Sequence, residues 1–380
     1  MCSATAIIGP ITGYSRSMTH DPHHSVRDLN RPLLQELLAA YGPVGQEDAV
    51  RDICRRELTP LVDEVWVDEA GNLVGLLRGS GDESHSPIRV MAHMDELSML
   101  VKRINPDGTL HLTPLGTMYP GNFGLGPVAV LGNHGIVPAV LTLGSEHTTT
   151  ESWRIWQTKP DRGDKSLDWH HVYVFTGRTT EELAAAGVRP GTRVCIDRSK
   201  RSLVEVGGYL GCYFMDDRAS VTALLETARR LHADGRRAPA DVYFVFTVSE
   251  EIGGIGGTYA SHALPGDLTL ALEVGPTEAE YSTTVGGGPI VAYSDEKSIY
   301  DKNIADRLMD IATKLDLSPQ AAVLGAFESD ASHSVAVGQT ARSALLCLPT
   351  LSTHGYEVIP ADAIPGMTNV LVEFVLAPTA

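Results

Sequence analysis

The sequence predicts an α/β fold, in which a mixed β-sheet is sandwiched by helices and a smaller β-rich domain is inserted into it. Three observations predict this architecture. Helical and strand-like segments alternate from residue 217 to the end of the chain. Residues 102–206 instead hold short apolar segments separated by Gly and Pro, with one helical segment near residues 180–186. A length of 380 residues also exceeds what one hydrophobic core usually supports, so about two domains are expected.

These observations divide the chain into three parts. Residues 1–28 are interpreted as a flexible leader rich in His and Ser. Residues 29–101 and 207–380 are predicted to form one discontinuous α/β domain, and residues 102–206 are predicted to form the inserted β-rich domain.

The amino-terminal elements follow from hydrophobic spacing. Helical spacing predicts helices over residues 31–41 and 47–58. Residues 62–67 and 73–77 are predicted to pair as strands across a turn at Gly71-Asn72, and the apolar residues 88–92 predict a buried strand that runs into His93.

The carboxyl-terminal half predicts a helix followed by buried strands. The helix follows Asp217, and its apolar positions recur with the helical period at Val221, Leu224, Leu225, Ala228 and Leu231. Apolar runs at residues 242–248, 268–272 and 344–348 predict three buried strands.

Composition excludes several classes of partner. Thirty Lys and Arg against 47 Asp and Glu give a formal charge of -17, which argues against nucleic acid and anionic membranes as partners. No apolar stretch approaches the roughly 20 residues that span a bilayer. Five cysteines, an odd number without a CxxC pair, are typical of a reducing compartment, so a cytoplasmic location is expected.

Acidic residues follow the strand predicted at residues 242–248. Glu250 and Glu251 stand side by side there, and four glycines follow closely. Burying two charges without compensation costs too much free energy, so the pair indicates either a solvated loop or a cation that neutralises it.

Four other segments favour the cation. His93 and Asp95 lie two residues apart, hence on one face of an extended strand, which suits a metal ligand and the group that orients it. Asp216 and Asp217 precede a helix, and if Asp217 is its N-cap, Asp216 is free to be a ligand shared by two cations. Similar positions, at or after the end of a predicted strand, are occupied by Glu273 and His354.

The recurrence at strand ends predicts a shared site. In open α/β sheets the carboxyl ends of the strands form the crevice where ligands bind, so residues distant in sequence can meet there. The predicted ligands are two imidazoles and three carboxylates: His93, Asp216, Glu251, Glu273 and His354. This mixture suits divalent cations such as Zn²⁺ or Co²⁺, with Asp216 between two ions about 3.5–4 Å apart.

The order of these motifs resembles a known family. Five motifs occur in the family's order over residues 29–378. They are AHMDE, a DDR before a helix, an EE after an apolar strand, a strand-end acid, and a His after a PT-containing loop. In this respect the chain resembles the glutamyl or deblocking aminopeptidases, dinuclear metallopeptidases best known from the tetrahedral (TET) aminopeptidases.

The resemblance implies roles for the site residues. The terminal ligands of the two metals are His93, Glu273, Glu251 and His354. Asp216 bridges the two metals. Asp95 holds His93, and Glu250 is the general base that takes a proton from the water held between the cations. The implied cofactors are two divalent ions per subunit, with Zn²⁺ first and Co²⁺ or Mn²⁺ as alternatives.

The resemblance also implies the activity and the assembly. The expected activity is that of an aminopeptidase acting on short peptides, with a peptide or small amide as substrate. The inserted domain is expected to be PDZ-like and to mediate oligomerisation, with dimers building a larger homo-oligomer such as a dodecamer.

Two departures from the family keep other functions open. Residue 273 is Glu where the family usually has Asp, and Leu351-Ser352-Thr353 replace the usual Arg-Tyr before the last His. Related two-metal exopeptidases with Glu at this strand end tend to be carboxypeptidases. The alternatives are therefore a carboxypeptidase or amidohydrolase acting on a small N-acylated or amidated dipeptide, and a scaffold without activity.

Overall fold

The computed structural model describes residues 29–81, 85–159, 163 and 165–377. The predicted leader at residues 1–28 lies outside the described residues. In chain order the strands are β1 (Glu64–Val67), β2 (Leu73–Leu77), β3 (Ile88–His93), β4 (Ser98–Ile104), β5 (Leu110–Leu115), β6 (Gly126–Gly132), β7 (Gly135–Thr142), β8 (Tyr173–Phe175), β9 (Arg193–Ile196), β10 (Val204–Val206), β11 (Tyr209–Tyr213), β12 (Val242–Thr247), β13 (Leu268–Pro276), β14 (Ile290–Ser294), β15 (Gln320–Val323), β16 (Arg342–Thr350) and β17 (Tyr356–Pro360).

The helices alternate with these strands over much of the chain. They are α1 (Arg31–Ala39), α2 (Asp48–Leu58), α3 (Pro120–Phe123), α4 (Trp153–Thr158), α5 (Thr180–Ala185), α6 (Met215–Asp234), α7 (Ile255–Ala263), α8 (Lys302–Lys314), α9 (Asp330–Ala336) and α10 (Ala363–Leu376). Short 3₁₀ turns lie at Arg198–Lys200 and Ala279–Tyr281.

Eight strands form one mixed sheet, in the order β1-β2-β12-β3-β13-β16-β14-β15. The four central strands are parallel: β12 and β13 both pair with β3, and β16 pairs with β13. On either side β2 and β14 run antiparallel to their central neighbours. The carboxyl ends of the four central strands therefore share one edge of the sheet, where ligand sites of α/β proteins form.

Helices cover both faces of this sheet because successive side chains of a strand point to opposite faces. Val90 of β3 joins a core cluster with Leu224 of α6, whereas the next residue, Met91, joins a cluster with Ala260 of α7. Leu345 of β16 packs with Ala331 of α9 on the second face. The predicted mixed α/β architecture is confirmed.

The inserted segment forms a closed barrel with strand order β4-β5-β8-β7-β6-β9. The expected β-rich domain is therefore present, and its strands run from Ser98 to Ile196. Closure removes the unpaired strand edges that an open sheet of this size would expose. The domain boundaries at residues 102 and 206, and the likeness to a PDZ domain, stay predictions.

A buried charge cluster joins the barrel to the α/β domain. Arg201, which follows the barrel, donates two hydrogen bonds to the carboxylate of Glu96, at 2.7 and 2.9 Å. Arg218 of α6 donates to the same carboxylate at 3.0 Å. All three side chains are buried, and the guanidinium of Arg201 lies over the rings of Tyr41 and Phe214. Glu96 thus compensates two buried cations at the domain junction.

The described cysteines are free thiols, and all four are buried: Cys54, Cys195, Cys212 and Cys347. Cys2 lies outside the described residues, so the reducing compartment stays a prediction. Within the described ranges, none of the helices combines the length and the apolar character that crossing a bilayer demands.

The junction cluster predicts a large loss of stability for Glu96→Gln. The substitution preserves the size of the side chain but leaves the charges of Arg201 and Arg218 without a counter-ion, which should lower the free energy of unfolding by about 3–5 kcal/mol. Guanidinium-induced unfolding followed by circular dichroism measures this loss.

Glu36→Gln is the matched control, because Glu36 forms an exposed ion pair with Arg56. Exposed pairs contribute about 0–1 kcal/mol. Equal losses for the two variants would contradict a stabilising role of the buried cluster.

Candidate metal centre

His93 is the last residue of β3 and is buried at the carboxyl edge of the sheet. Its Nδ1 lies 3.1 Å from the carbonyl oxygen of Asp95 and 3.5 Å from the Asp95 carboxylate. An Nδ1–H that donates to the carbonyl leaves Nε2 as the free ligand atom. This Nε2 lies 3.0 Å from Oδ1 of Asp216.

Asp216 lies at the irregular start of α6. Asp216 and Asp217 have non-helical backbone angles, and the peptide bond between them is cis. The backbone N–H of Asp216 donates to the buried carboxylate of Glu357 at 3.0 Å. Its two carboxylate oxygens lie near different imidazoles, because Oδ2 is 3.8 Å from Nε2 of His354.

The side chain of Asp217, which the sequence allowed as a helix cap, makes no capping hydrogen bond to α6 among the described residues. Its Oδ2 accepts a hydrogen bond from the backbone N–H of His93 at 3.1 Å, and the residue preceding α6 is Phe214, in a left-handed conformation. Because the first two acids of α6 are non-helical, Asp217 faces the end of β3 instead of the helix N–H groups. Asp217 therefore helps to position the predicted ligand His93.

The Glu250-Glu251 pair follows β12 and is held by Asp95. The carboxylate of Asp95 accepts the backbone N–H of Glu250 at 3.0 Å and that of Glu251 at 3.1 Å. Asp95 therefore contacts both His93 and the turn that carries the acid pair. The position of Asp95 after a predicted strand does not by itself indicate the second contact.

Glu273 lies inside β13 rather than at its end, since that strand continues to Pro276. The prediction of a strand end at residue 272 is wrong because β13 stays paired with β16 as far as Pro276, whereas its pairing with β3 stops at Ala271. Glu273 therefore lies just beyond the paired part of β3, and its Oε2 is 3.8 Å from Nε2 of His93.

His354 reaches the site from the loop between β16 and β17. Pairing of β17 with β11 holds this loop next to the segment that leads into Asp216. Nδ1 of His354 lies 2.7 Å from the carbonyl oxygen of Thr117, a residue of the inserted segment, so that Nε2 is left as the ligand atom. This Nε2 is 3.7 Å from the Glu251 carboxylate.

The buried acids of the site have raised pKa values. Burial raises the pKa of Glu251 to about 7, although the positive charge of His354 acts to lower it. Burial also raises the pKa of Glu250 and of Glu273 well above the ordinary range, reinforced by Asp330 and by Asp217 respectively.

The two histidines respond to these acids. Burial by itself would lower the pKa of His93, but hydrogen bonds to Asp216 and Asp95 outweigh it and raise that pKa. The same balance raises the pKa of His354, where the charges of Glu251 and Asp216 prevail. Protons thus compensate the crowded negative charge when no cation does.

The donor set fits divalent cations. A ring nitrogen of His93 lies within 4.8 Å of carboxylate oxygens in two groups, one with Asp216 and Glu251 and one with Asp217 and Glu273. Oε1 of Glu251 is buried without a hydrogen-bond partner in the described part of the chain. Imidazole nitrogens and carboxylate oxygens at this separation are typical of ligands that share an ion with bonds of about 2.0–2.2 Å.

Four of the five predicted ligands line a cavity of about 500 Å³, and the fifth, His93, contacts one of them, Asp216. Asp216, Glu250, Glu251 and Glu273 form part of its lining, and Thr117, Tyr119 and Asn122 contribute from the barrel insertion. The volume is that of a site for a small ligand. All five predicted ligands are therefore brought together, and the predicted base Glu250 lines the same space.

Sequence reasoning missed two buried acids. Glu357 lies on β17, whose sequence Tyr-Glu-Val-Ile-Pro indicates a short apolar strand and gives no sign that its one acid is buried. Asp330 begins α9, and its Oδ2 accepts a hydrogen bond from Thr247, the residue paired with His93 across β12 and β3. An acid directly before a helix in ESDASHS was the available signal for Asp330, parallel to the DDR segment.

A mixed α/β sheet with imidazoles and acids gathered at its carboxyl edge is typical of a metal-dependent peptide hydrolase. The sequence profile of the M42 glutamyl aminopeptidases matches residues 71–370. The chain belongs to this family. It is an enzyme that hydrolyses peptides, and divalent metal ions are part of the family's chemistry. The prediction of an aminopeptidase is confirmed, and the carboxypeptidase, amidohydrolase and inactive-scaffold alternatives are not favoured.

Individual relatives agree with the family assignment. A putative aminopeptidase from Acetivibrio thermocellus is 25% identical over 347 residues, which cover 90% of this chain and 97% of that protein. Aminopeptidase APDkam598 from Desulfurococcus kamchatkensis has the same fold, with a TM-score of 0.81 at 24% identity over 94% of this chain and 96% of that one. The Pyrococcus horikoshii TET1 peptidase also has this fold, with a TM-score of 0.77 at 24% identity over 91% of this chain and 98% of that one.

The raised pKa of Glu251 predicts that the metal-free protein loses stability as the pH rises. Between pH 4.5 and about 7 the folded chain retains a proton on Glu251 that the unfolded chain has released, so the free energy of unfolding falls across this window. The full shift corresponds to on the order of 3 kcal/mol. Guanidinium unfolding of chelator-treated protein at both ends of the window measures the fall.

Glu251→Gln provides the control, because the amide does not titrate. The raised pKa values of Glu250 and Glu273 give a pH dependence of the same sign across this window, so the variant should show a shallower fall rather than none. Identical pH profiles for the two proteins would rule out Glu251 as a contributor.

Proposed function

We propose that this chain is a two-metal exopeptidase that releases residues from the free amino terminus of short peptides. The observation that carries the proposal is the position of Asp216 between two imidazoles, with Oδ1 near His93 and Oδ2 near His354. A carboxylate whose two oxygens serve different nitrogen ligands suits an acid that bridges two ions.

The remaining ligands divide by distance between the two ions. Glu273 lies near His93, and Glu251 lies near His354. We assign His93 and Glu273 to one ion, Glu251 and His354 to the other, and Asp216 to both. Zn²⁺ suits this mixture of nitrogen and oxygen ligands, and Co²⁺ or Mn²⁺ suits it too.

Bound divalent ions would lower the pKa of a water molecule and polarise the scissile carbonyl. Glu250 supplies the proton transfer: it takes a proton from the attacking water and delivers it to the departing amine nitrogen. Both acids line the cavity, and of the two only Glu251 is assigned to a metal. The hydrogen bonds from both backbone N–H groups to Asp95 fix the two acids in their different roles.

We further propose that the protein forms a homo-oligomer through the inserted domain. This domain would then have the role predicted for it, that of a PDZ-like domain that mediates assembly. Three apolar side chains are exposed on neighbouring barrel strands: Ile136 and Val140 on β7, and Phe175 on β8 opposite Val140. Exposed apolar patches of this kind are typical of association surfaces. The Pyrococcus horikoshii TET1 peptidase is described as assembling into a tetrahedron or a large octahedral shell.

Assembly is tested by light scattering on the purified chain. We expect a mass that is a multiple of 40.8 kDa, and a smaller assembly for the double variant Val140→Asp, Phe175→Asp. A monomer at the single-chain mass would remove the assembly proposal and leave the enzymatic one intact.

The activity is tested with peptide sets after loading with Zn²⁺, Co²⁺ or Mn²⁺. Tripeptides with a free amino terminus should lose their first residue, whereas N-acetylated counterparts should stay intact, and mass spectrometry of the products gives the polarity of cleavage. Release of carboxyl-terminal residues, or no cleavage with any ion, would overturn the proposed function.

Glu250→Gln should retain bound metal and lose turnover. Loss of a general base lowers kcat by about 10²–10⁴-fold, while the assigned metal ligands are untouched. Metal content by elemental analysis and kcat on a free tripeptide are the two measurements. Glu181→Gln, an exposed glutamate of helix α5, is the matched control. Near-normal kcat in Glu250→Gln would refute the role of Glu250.

A further inference from the structure

The cavity that holds the candidate metal centre has two chemically different walls beyond the ligands. The first wall consists of residues from the barrel insertion together with Thr353 from the loop before His354. Its described lining residues carry no charge: Thr117, Tyr119, Asn122 and Thr353. The opposite wall comes from the loops after β14 and β15 and from α9, and it consists of Glu296, Ala326, Phe327, Glu328 and His333. Any charge selectivity beyond the metal centre must therefore arise at the second wall.

The two glutamates of this wall differ in their partners. Glu328 lies between a lysine ammonium and an imidazole, 3.1 Å from Nζ of Lys297 and 2.8 Å from Nε2 of His333. Glu296 is exposed, and in the described part of the chain it forms no ion pair of its own, because the neighbouring Lys297 pairs with Glu328. Glu296 is therefore the carboxylate that is available to a substrate.

The backbone fixes Glu296 beside the apolar part of the wall. Its N–H donates to the carbonyl oxygen of Phe327 at 3.0 Å, which joins the loop after β14 to the loop after β15. Phe327 is half-buried, and Ala326 next to it is exposed at the cavity. The wall thus places a carboxylate next to a methyl group and an aromatic ring.

We propose that this wall selects peptides whose amino-terminal residue is Lys or Arg, with Glu296 as the specificity-determining residue. This inference rests on the proposed function. Long basic side chains pack their methylene stems on apolar surface and keep the charged end at a polar group, which is the arrangement that Phe327, Ala326 and Glu296 offer. An acidic side chain would meet like charge from Glu296 and from the acids of the metal centre.

The test compares 4-nitroanilides of Lys, Arg, Leu and Glu with the metal-loaded enzyme. We expect kcat/KM for the Lys and Arg substrates to exceed that for the Leu substrate, and the Glu substrate to be the poorest. Glu296→Gln should lower kcat/KM for Lys about twofold to fivefold, because an exposed charge pair contributes modestly, and should leave the Leu substrate unchanged. Metal content, measured in parallel, should not change.

Two further variants sharpen the result. Glu296→Lys should reverse the preference, lowering kcat/KM for Lys and raising it for Glu, and Glu146→Gln, at an exposed site in the inserted segment, should leave all four values unchanged. A wild-type preference for Glu or Leu over Lys, or equal losses for Lys and Leu in Glu296→Gln, would overturn the inference. Hydrolysis of the Leu substrate in those cases would leave the proposed aminopeptidase intact, whereas no hydrolysis of any substrate would implicate the function itself.

Discussion

Two adjacent buried carboxylates, Asp95 and Glu96, connect the parts of this protein on which activity depends. Asp95 accepts both N–H groups of the Glu250-Glu251 turn and lies next to the ring of His93. Glu96 binds Arg201 from the barrel junction and Arg218 from helix α6. Because the two acids are consecutive after β3, the positions of the metal centre and of the inserted barrel are set by the same short segment.

The concentration of acids at the sheet edge makes the site dependent on cations. Several carboxylates are buried within a few ångströms of one another, and in the absence of a cation only protons relieve their repulsion. A divalent cation bound there would displace those protons, so we expect metal affinity, pH and folding stability to be coupled in this chain. The same repulsion explains why the acids are tied to backbone N–H groups, as Glu357 is tied to that of Asp216.

The inserted barrel contributes to the site as well as to the proposed assembly. The carbonyl oxygen of Thr117 lies at hydrogen-bond distance from Nδ1 of His354 and so selects the nitrogen that is left for metal. Residues after Thr117 form the uncharged wall of the cavity, while the loops after β14 and β15 form the charged one. The proposed chemistry and the proposed side-chain selection are thus assigned to different elements around one cavity.

Hydrophobic patterning predicted the sheet covered by helices and the β-rich insertion, because buried parallel strands read as apolar runs. The acids and imidazoles at the ends of those runs predicted the five residues that meet at the carboxyl edge, because strand ends converge there. Neither pattern could show that Glu273 lies inside β13, that Asp217 contacts His93 instead of capping a helix, or that Glu357, Asp330 and Thr117 support the site. Those outcomes depend on strand register and on contacts between residues 83 to 237 positions apart in the sequence. Local sequence does not encode such contacts, and only the packed tertiary structure decides which donors and acceptors face one another.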